Sequence, residues 1–462
     1  MAGSSPSCGL RLHDHLLAHL VCPSRHTITS LLTTYGRQFE DWTAQYQLYS
    51  MQRVQPDVLF RQILSEVETL QTSGSALVVA LDDTLLRKTG RCIPGTAYRR
   101  DPLGPPFHVN LVWAQRVLQL AAAVPGPQGE VRMIPVDFKD ASTPHKPRKN
   151  AAPEQWDAYR EAMKQANLNH RAVKQLTALQ ALRTGADGYA RPVHVLVDGS
   201  FTNRKFLMNL PPNTTVIGRI RKDAHLHFLP DQQKPCGRKR VYGEQAPTPE
   251  EWRQDTEVPW QEVTAYAAGA LRTFKVKTLA PLRWRAAGKD HDIRLVVIAP
   301  IPYLKAIGRR RLYRQPAYLI CTDPNMPLAT LLQEYIWRWD IEVNHRDEKT
   351  LLGVGQAQVR NPHSVESVPA VAVAAYAMLH LAAIKAFGWN GKPDVLPLPK
   401  WRDPDQKKRA STMDLINELR RELWTSAIRP SHLIHFMHPN HHASKSKNSI
   451  PSLPDALFYS TN

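Results

Sequence analysis

Three acids stand out for the company they keep. Asp82 and Asp83 close the apolar run Ala76-Leu77-Val78-Val79-Ala80-Leu81, and Asp198 closes Val193-His194-Val195-Leu196-Val197 ahead of Gly199 and Ser200. Short continuous apolar runs bounded by turn formers read as strands buried on both faces, and an acid at the end of such a strand projects from the sheet edge into a crevice. A third acid, Glu342, lies in the helical segment from Tyr335 to Lys349. At about 100° per residue, Tyr335, Arg338, Glu342 and Lys349 fall within an arc of roughly 60°. Carboxylates held close together bind hard divalent ions that activate an attacking oxygen and stabilise a leaving one, while Arg and Lys grip neighbouring phosphates. The set Asp83, Asp198 and Glu342 therefore suits a phosphodiester. The plainer alternative is a solvated helix with spaced ion pairs; Trp337, Trp339 and Ile341 around the acid favour partial burial instead.

The elements that must carry these acids follow from periodicity. Residues from about 10 to 72 have helical spacing, with Leu16, Leu17 and Leu20, then Leu31 and Leu32, then Val58, Leu59, Ile63 and Leu64 as the apolar positions. Strands are expected at 76–81, 107–112 and 117–124, followed by a long helix over 153–182. The strand before Asp198 ends in a turn where Ser200 is expected to cap a helix. A strand at 215–220 leads into a region rich in Pro and Gly, with β-like runs at 273–278, 293–298 and 317–321. Helices return over 328–351, 368–387 and 413–423. The stretch 432–448 is rich in His and Lys and reads as a polar tail.

Composition limits the function classes. The chain has 462 residues, 42% of them hydrophobic, and a formal net charge of +19, which favours a polyanionic partner. No apolar run approaching the roughly 18 residues of a membrane span is evident, and the N-terminus lacks the pattern of a secretory signal, so a soluble, unexported protein without a membrane partner is expected. The five cysteines are scattered and never form C-x-x-C, which supports neither a disulfide framework nor a zinc ribbon. His432, His435, His438, His441 and His442 lack cysteine partners. Gly199-Ser200 has no G-x-S-x-G frame. The basic stretches Arg238-Lys239-Arg240 and Arg309-Arg310-Arg311 with Arg314 could track phosphates, or could be solvated loops.

The pattern Tyr335-x2-Arg338-x3-Glu342-x6-Lys349 resembles the Y-R-E-K signature of bacterial insertion-sequence transposases of the cut-and-paste DDE class. The order of motifs is similar too: Asp-Asp-Thr after one strand, Val-Asp-Gly-Ser after another, then the signature, with Gly237 to Gly243 and Leu352-Gly353-Val354-Gly355-Gln356 adding further likeness. The resemblance implies an α/β protein with an RNase H-like catalytic core, a β-rich insertion, a helical N-terminal domain and a helical C-terminal region. The boundaries so expected are 1–72 for the helical DNA-binding domain, 73–222 and 325–390 for the two parts of the core, 223–324 for the insertion, and 391–462 for the C-terminal region and tail. It also implies two Mg²⁺ or Mn²⁺ ions on Asp83, Asp198 and Glu342. Asp83 is preferred to Asp82 because the family's first acid directly precedes Thr; Asp82 stays the alternative. Tyr335, Arg338, Lys349, Arg238, Lys239 and Arg240 would contact DNA, and the partners would be double-stranded transposon ends and target DNA bound by a homodimer in the bacterial cytoplasm, associated with the nucleoid. Alternatives are a domesticated nuclease or DNA-binding regulator on the same fold, or a metal-dependent phosphoesterase.

Overall fold

The computed structural model describes residues 6–389 and 409–425, apart from 73, 102–103, 105–106, 108, 231–238, 289–290, 304 and 306–309. The helices are α1 Pro6–Val21, α2 Ile28–Thr34, α3 Thr43–Ser50, α4 Pro56–Thr69, α5 Pro153–Gln165, α6 Leu168–Arg183, α7 Arg204–Leu207, α8 Pro249–Gln254, α9 Leu328–Trp337, α10 Asp340–Thr350, α11 Pro362–Phe387 and α12 Thr412–Thr425. The strands are β1 Leu77–Arg87, β2 Ala97–Arg100, β3 Leu111–Pro125, β4 Val131–Asp140, β5 Val193–Val197, β6 Thr214–Arg219, β7 His227–Phe228, β8 Gln261–Ala267, β9 Ala270–Arg283, β10 Asp292–Ile298, β11 Pro302–Tyr303, β12 Leu312–Tyr313 and β13 Ala317–Cys321.

Eleven strands form one mixed sheet in the order β2-β3-β1-β5-β6-β13-β10-β9-β7, with β4 beside β3 and β8 beside β9. β1, β5 and β6 run parallel at its centre, and β3 and β13 flank them antiparallel. Strands expected to form an insertion thus extend the same sheet beyond β6. Their burial explains this: Leu295, Val296, Leu319 and Ile320 are fully enclosed, as strands in the middle of a two-sided sheet must be.

Alternation along the strands divides the core in two. Leu77, Val79 and Leu81 of β1, with Val193, Val195 and Val197 of β5, join a large cluster that contains residues of α1 to α4, α6 and α11. Val78, Ala80 and Leu196 face the other way and pack with Leu331, Leu332 and Ile341 from α9 and α10. The four N-terminal helices therefore share a core with α11 and the sheet. Gln356 Oε1 accepts a 2.8 Å hydrogen bond from the His26 amide, and the Lys88 ammonium donates to the Gly355 and Ala357 carbonyls, both at 2.8 Å, which ties this layer to the turn after α10.

Several sequence expectations change. The runs at 107–112 and 117–124 are not two strands: β3 runs unbroken from Leu111 because the polar Gln115 and Arg116 stay in register with Leu86 and Leu85 of β1. β4 went unread because Arg132, Asp137 and Lys139 interrupt its apolar residues. The 153–182 helix breaks at Ala166, and the Asn167 side chain caps α6. Ser200 is not a helix cap; Asn203 caps α7, and Ser200 serves Asp198. α11 is also long and apolar enough to span a bilayer, with a mean hydropathy of 1.8, contrary to the expectation from composition; 89% of its most apolar window is buried inside the protein, as in a core helix. The His-rich 432–448 stretch lies outside the described residues.

Candidate active site

β1 and β5 pair in parallel with Ala80 opposite Leu196. Continuing that register by two residues sets Asp82 level with Asp198 on neighbouring strands, which lie roughly 4.8 Å apart. Both have even parity with Val78, Ala80 and Leu196, so both side chains emerge on the face covered by α9 and α10. Asp83 points to the opposite face. Arg116 of β3 donates to its Oδ2 at 2.6 Å, and Asp83 does not line the cavity described below. The geometry therefore brings Asp82, not Asp83, together with Asp198. The Asp198 carboxylate is itself aimed by a turn: its Oδ1 accepts from the Ser200 amide at 2.9 Å and hydroxyl at 2.6 Å.

The third acid arrives from the α9–α10 junction. α9 is seated on β5 by the 2.9 Å contact between His194 Nδ1 and Glu334 Oε2. α10 is seated on β4: Asp340 Oδ2 accepts from the Met133 amide at 3.0 Å, and Asn344 Nδ2 donates to the Met133 carbonyl at 2.7 Å. Between them the chain tightens, with amides 338, 339, 341 and 342 each bonding three residues back. Each such step turns about 20° more than an α-helical one, so α10 is rotated relative to a continuous helix. The signature residues are spread along the same face of the sheet. Arg338 and Glu342 line the cavity, Tyr335 lies beneath with its ring 6.0 Å from the Arg338 guanidinium carbon, and Lys349 is drawn onto β1, where its ammonium donates to Thr84 Oγ1 at 2.5 Å.

The cavity measures about 790 Å³ and is lined by Asp82, Asp198 and Glu342, with Arg338, Arg219, Arg221, His225, Trp284 and Trp339 on its walls. Sequence reasoning missed the last five. The signal for Arg219 was available: it ends the strand beside Asp198, two residues past the buried Ile217 on the same face. Arg338 Nη2 donates to Glu342 Oε1 at 2.9 Å and Nη1 stands 4.0 Å from Asp82 Oδ2. Burial raises the Asp82 carboxyl to about 6; Asp198 and Asp83 add to the rise, while His345 and Arg338 oppose it. Burial works against the Arg338 charge, yet Tyr335, Glu342 and Asp82 outweigh it and hold its pKa above the usual value. Burial raises the Tyr335 phenol and lowers Lys349.

Carboxylate oxygens from the middle of β1, from just past the end of β5 and from one helix are the donor type that Mg²⁺ and Mn²⁺ take. Glu342 is spent on Arg338, and among the described residues no three Asp, Glu, His or Cys side chains stand close enough to cage an ion as they are. The donors suit a divalent ion in kind; Glu342 would have to exchange Arg338 for it to join them. Of the basic loop, Arg238 is outside the described residues; Lys239 and Arg240 are exposed and not on the cavity wall.

A mixed α/β protein with acids on and just past neighbouring parallel strands at the centre of a large sheet fits a nuclease-like fold. The family model for DDE superfamily endonucleases matches residues 11–286, more than half of the chain, and the chain belongs to that family of nuclease-type enzymes. The matched span contains Asp82 and Asp198 and stops before Glu342. Comparison with curated proteins finds no match.

Proposed function

We propose that this chain is a DDE transposase of the Y-R-E-K kind, built on an RNase H-like core, that cuts double-stranded DNA at the ends of its element and joins the freed ends to target DNA. The observation that carries the reading is the register-matched pair Asp82 and Asp198 facing Glu342 across one cavity, with Arg338 between them. In this reading Asp82 replaces Asp83 in the acid triad. Mg²⁺ or Mn²⁺ ions held by the three carboxylates would supply an activated oxygen and charge stabilisation at the phosphorus. The protein's own part is to place the DNA: Arg338 and Arg219 grip phosphates beside the scissile bond, and Tyr335 supports Arg338 from below. Water displaces the 3′ oxygen of one phosphodiester, leaving a 3′-OH, which then displaces a bridging oxygen in the target strand.

The cationic wall favours a polymeric phosphate over a small ester, and the net charge of +19 agrees with it. Cutting two ends together calls for at least a homodimer on DNA. The experiment is cleavage and strand transfer by the purified chain on duplexes carrying the terminal sequences that flank its coding region, with Mg²⁺ or Mn²⁺. Cleavage without joining would leave a nuclease; salt-sensitive binding without either would leave a DNA-binding regulator; hydrolysis of small phosphate esters without DNA binding would leave a phosphoesterase.

A further inference from the structure

His345 lies three residues past Glu342, on the side of α10 that covers the sheet. It is 7% exposed, and neither ring nitrogen has a hydrogen-bond partner among the described residues. Whichever tautomer it takes, the ring keeps an N–H donor buried without an acceptor, which ordinarily costs about 1–3 kcal/mol. Such groups are rare in native cores and concentrate where a site works.

The neighbours are just as informative. Glu348, 1% exposed, has Oε2 3.6 Å from His345 Nδ1, too far for a hydrogen bond but within ion-pair reach. Its other oxygen accepts from Gln119 Nε2 at 2.9 Å. Gln119 is the cross-strand partner of Asp82 on β3, and its own Oε1 is buried without a partner. Asp82 is thus neighbour to two polar side chains whose bonding is incomplete, Gln119 across the strand and His345, whose charge it feels, under the helix that also carries Glu342.

We propose that His345 is a positioning residue for Asp82: its ring N–H, unbonded in this arrangement, turns to the Asp82 carboxylate when the site is loaded, with Glu348, itself held by Gln119, facing the other ring nitrogen. The inference rests on the reading of Asp82 as an acid that holds a divalent ion. It differs from that reading by assigning a role to a side chain that is itself no ligand. A well-placed donor behind a ligating carboxylate sets its orientation, and its loss weakens ion binding without removing any ligand.

Mn²⁺ alone, followed by the rise in Tm of the full chain and by calorimetry, is the test. His345→Phe should raise the Mn²⁺ concentration for half-maximal stabilisation by about tenfold or more, with the Tm in the absence of metal near that of the unaltered protein. His345→Gln, which keeps an N–H donor, should return within about threefold of the unaltered protein. Should His345→Phe fail to fold, Gln119→Leu, which frees Glu348, should raise the same concentration. If the His345 variants titrate like the unaltered protein while Asp82→Asn loses its response, the inference is wrong and the functional reading stands. Equal weakening in Phe and Gln together with a lower metal-free Tm would show a packing role and overturn it. No Mn²⁺ response in the unaltered protein would sink both.

Discussion

Asp82 and Asp83 are neighbours on one strand, yet they serve opposite faces of the sheet. Under α11 and the N-terminal helices, Asp83 is matched by Arg116 at 2.6 Å, and His15 is held by Gln45 and Tyr49 with its pKa lowered to about 4 by burial. Under α9 and α10, Asp82 has one hydrogen bond, from the next amide, a cation 4.0 Å away, and a carboxyl raised to about 6. On the first face Asp83 and His15 have their partners, while His19 and Gln175 keep buried polar side-chain atoms without one among the described residues. What sets the second face apart is that its weakly matched acid lines an open cavity beside the carboxylates of Asp198 and Glu342, the arrangement expected where binding a ligand completes the bonding.

The sharpest way to break this contrast is to neutralise each acid. Asp82→Asn should abolish metal-dependent DNA cleavage and leave DNA binding largely intact, whereas Asp83→Asn should retain cleavage; gel assays reporting the reverse would exchange the roles of the two faces. The stability changes should run the other way. Removing a buried, unmatched charge should make Asp82→Asn more stable at neutral pH by about 1–3 kcal/mol, and losing the partner of the partly buried Arg116 should make Asp83→Asn less stable by about 1–2 kcal/mol. Calorimetric Tm values with the same sign for both variants would contradict the comparison.

Acidity should separate the faces as well. His15 and His26 both have pKa values lowered to about 4, against an ordinary 6.5, chiefly by burial. Between those values the unfolded chain binds protons that the native state refuses, so their contribution is present above pH 6.5 and is lost as pH falls toward 4. For each group the loss is about 1.4 kcal/mol per pH unit of the window. Asp82 has the opposite sign: its native pKa is the higher one, so its penalty is relieved as pH falls from about 6 through 3.8. Thermal melts should therefore fall more steeply with acid in Asp82→Asn than in the unaltered protein and less steeply in His15→Gln. Parallel curves for all three would refute the assignment.

The smallest effect is expected at Lys349, which contacts Thr84 and lies off the cavity wall. Lys349→Ala should cost about 1 kcal/mol of stability through the lost hydrogen bond. If it also reaches a phosphate, the salt slope of DNA binding should fall by about one. Arg338→Ala should weaken binding of cleavage-site DNA more than Lys349→Ala does, and a larger loss at Lys349 would overturn that ranking.

Local pattern alone determined a good deal. The apolar runs before Asp82 and Asp198, the helix that carries Glu342 and the helical character of residues 10–72 are written in short-range periodicity, and the pattern that groups Asp198 with Glu342 matches residues that line one cavity. The choice between Asp82 and Asp83 was not legible, because β1 is apolar on both faces and so offers no alternation to show which residues face α10. Nor was the tightened turn between α9 and α10, since it follows from seating α9 on β5 and α10 on β4 at once. The inserted strands could be read as β, but their place beside β6 could not: sheet order depends on pairings between residues about a hundred positions apart, such as Ile320 with Gly218, and only the folded chain brings those together.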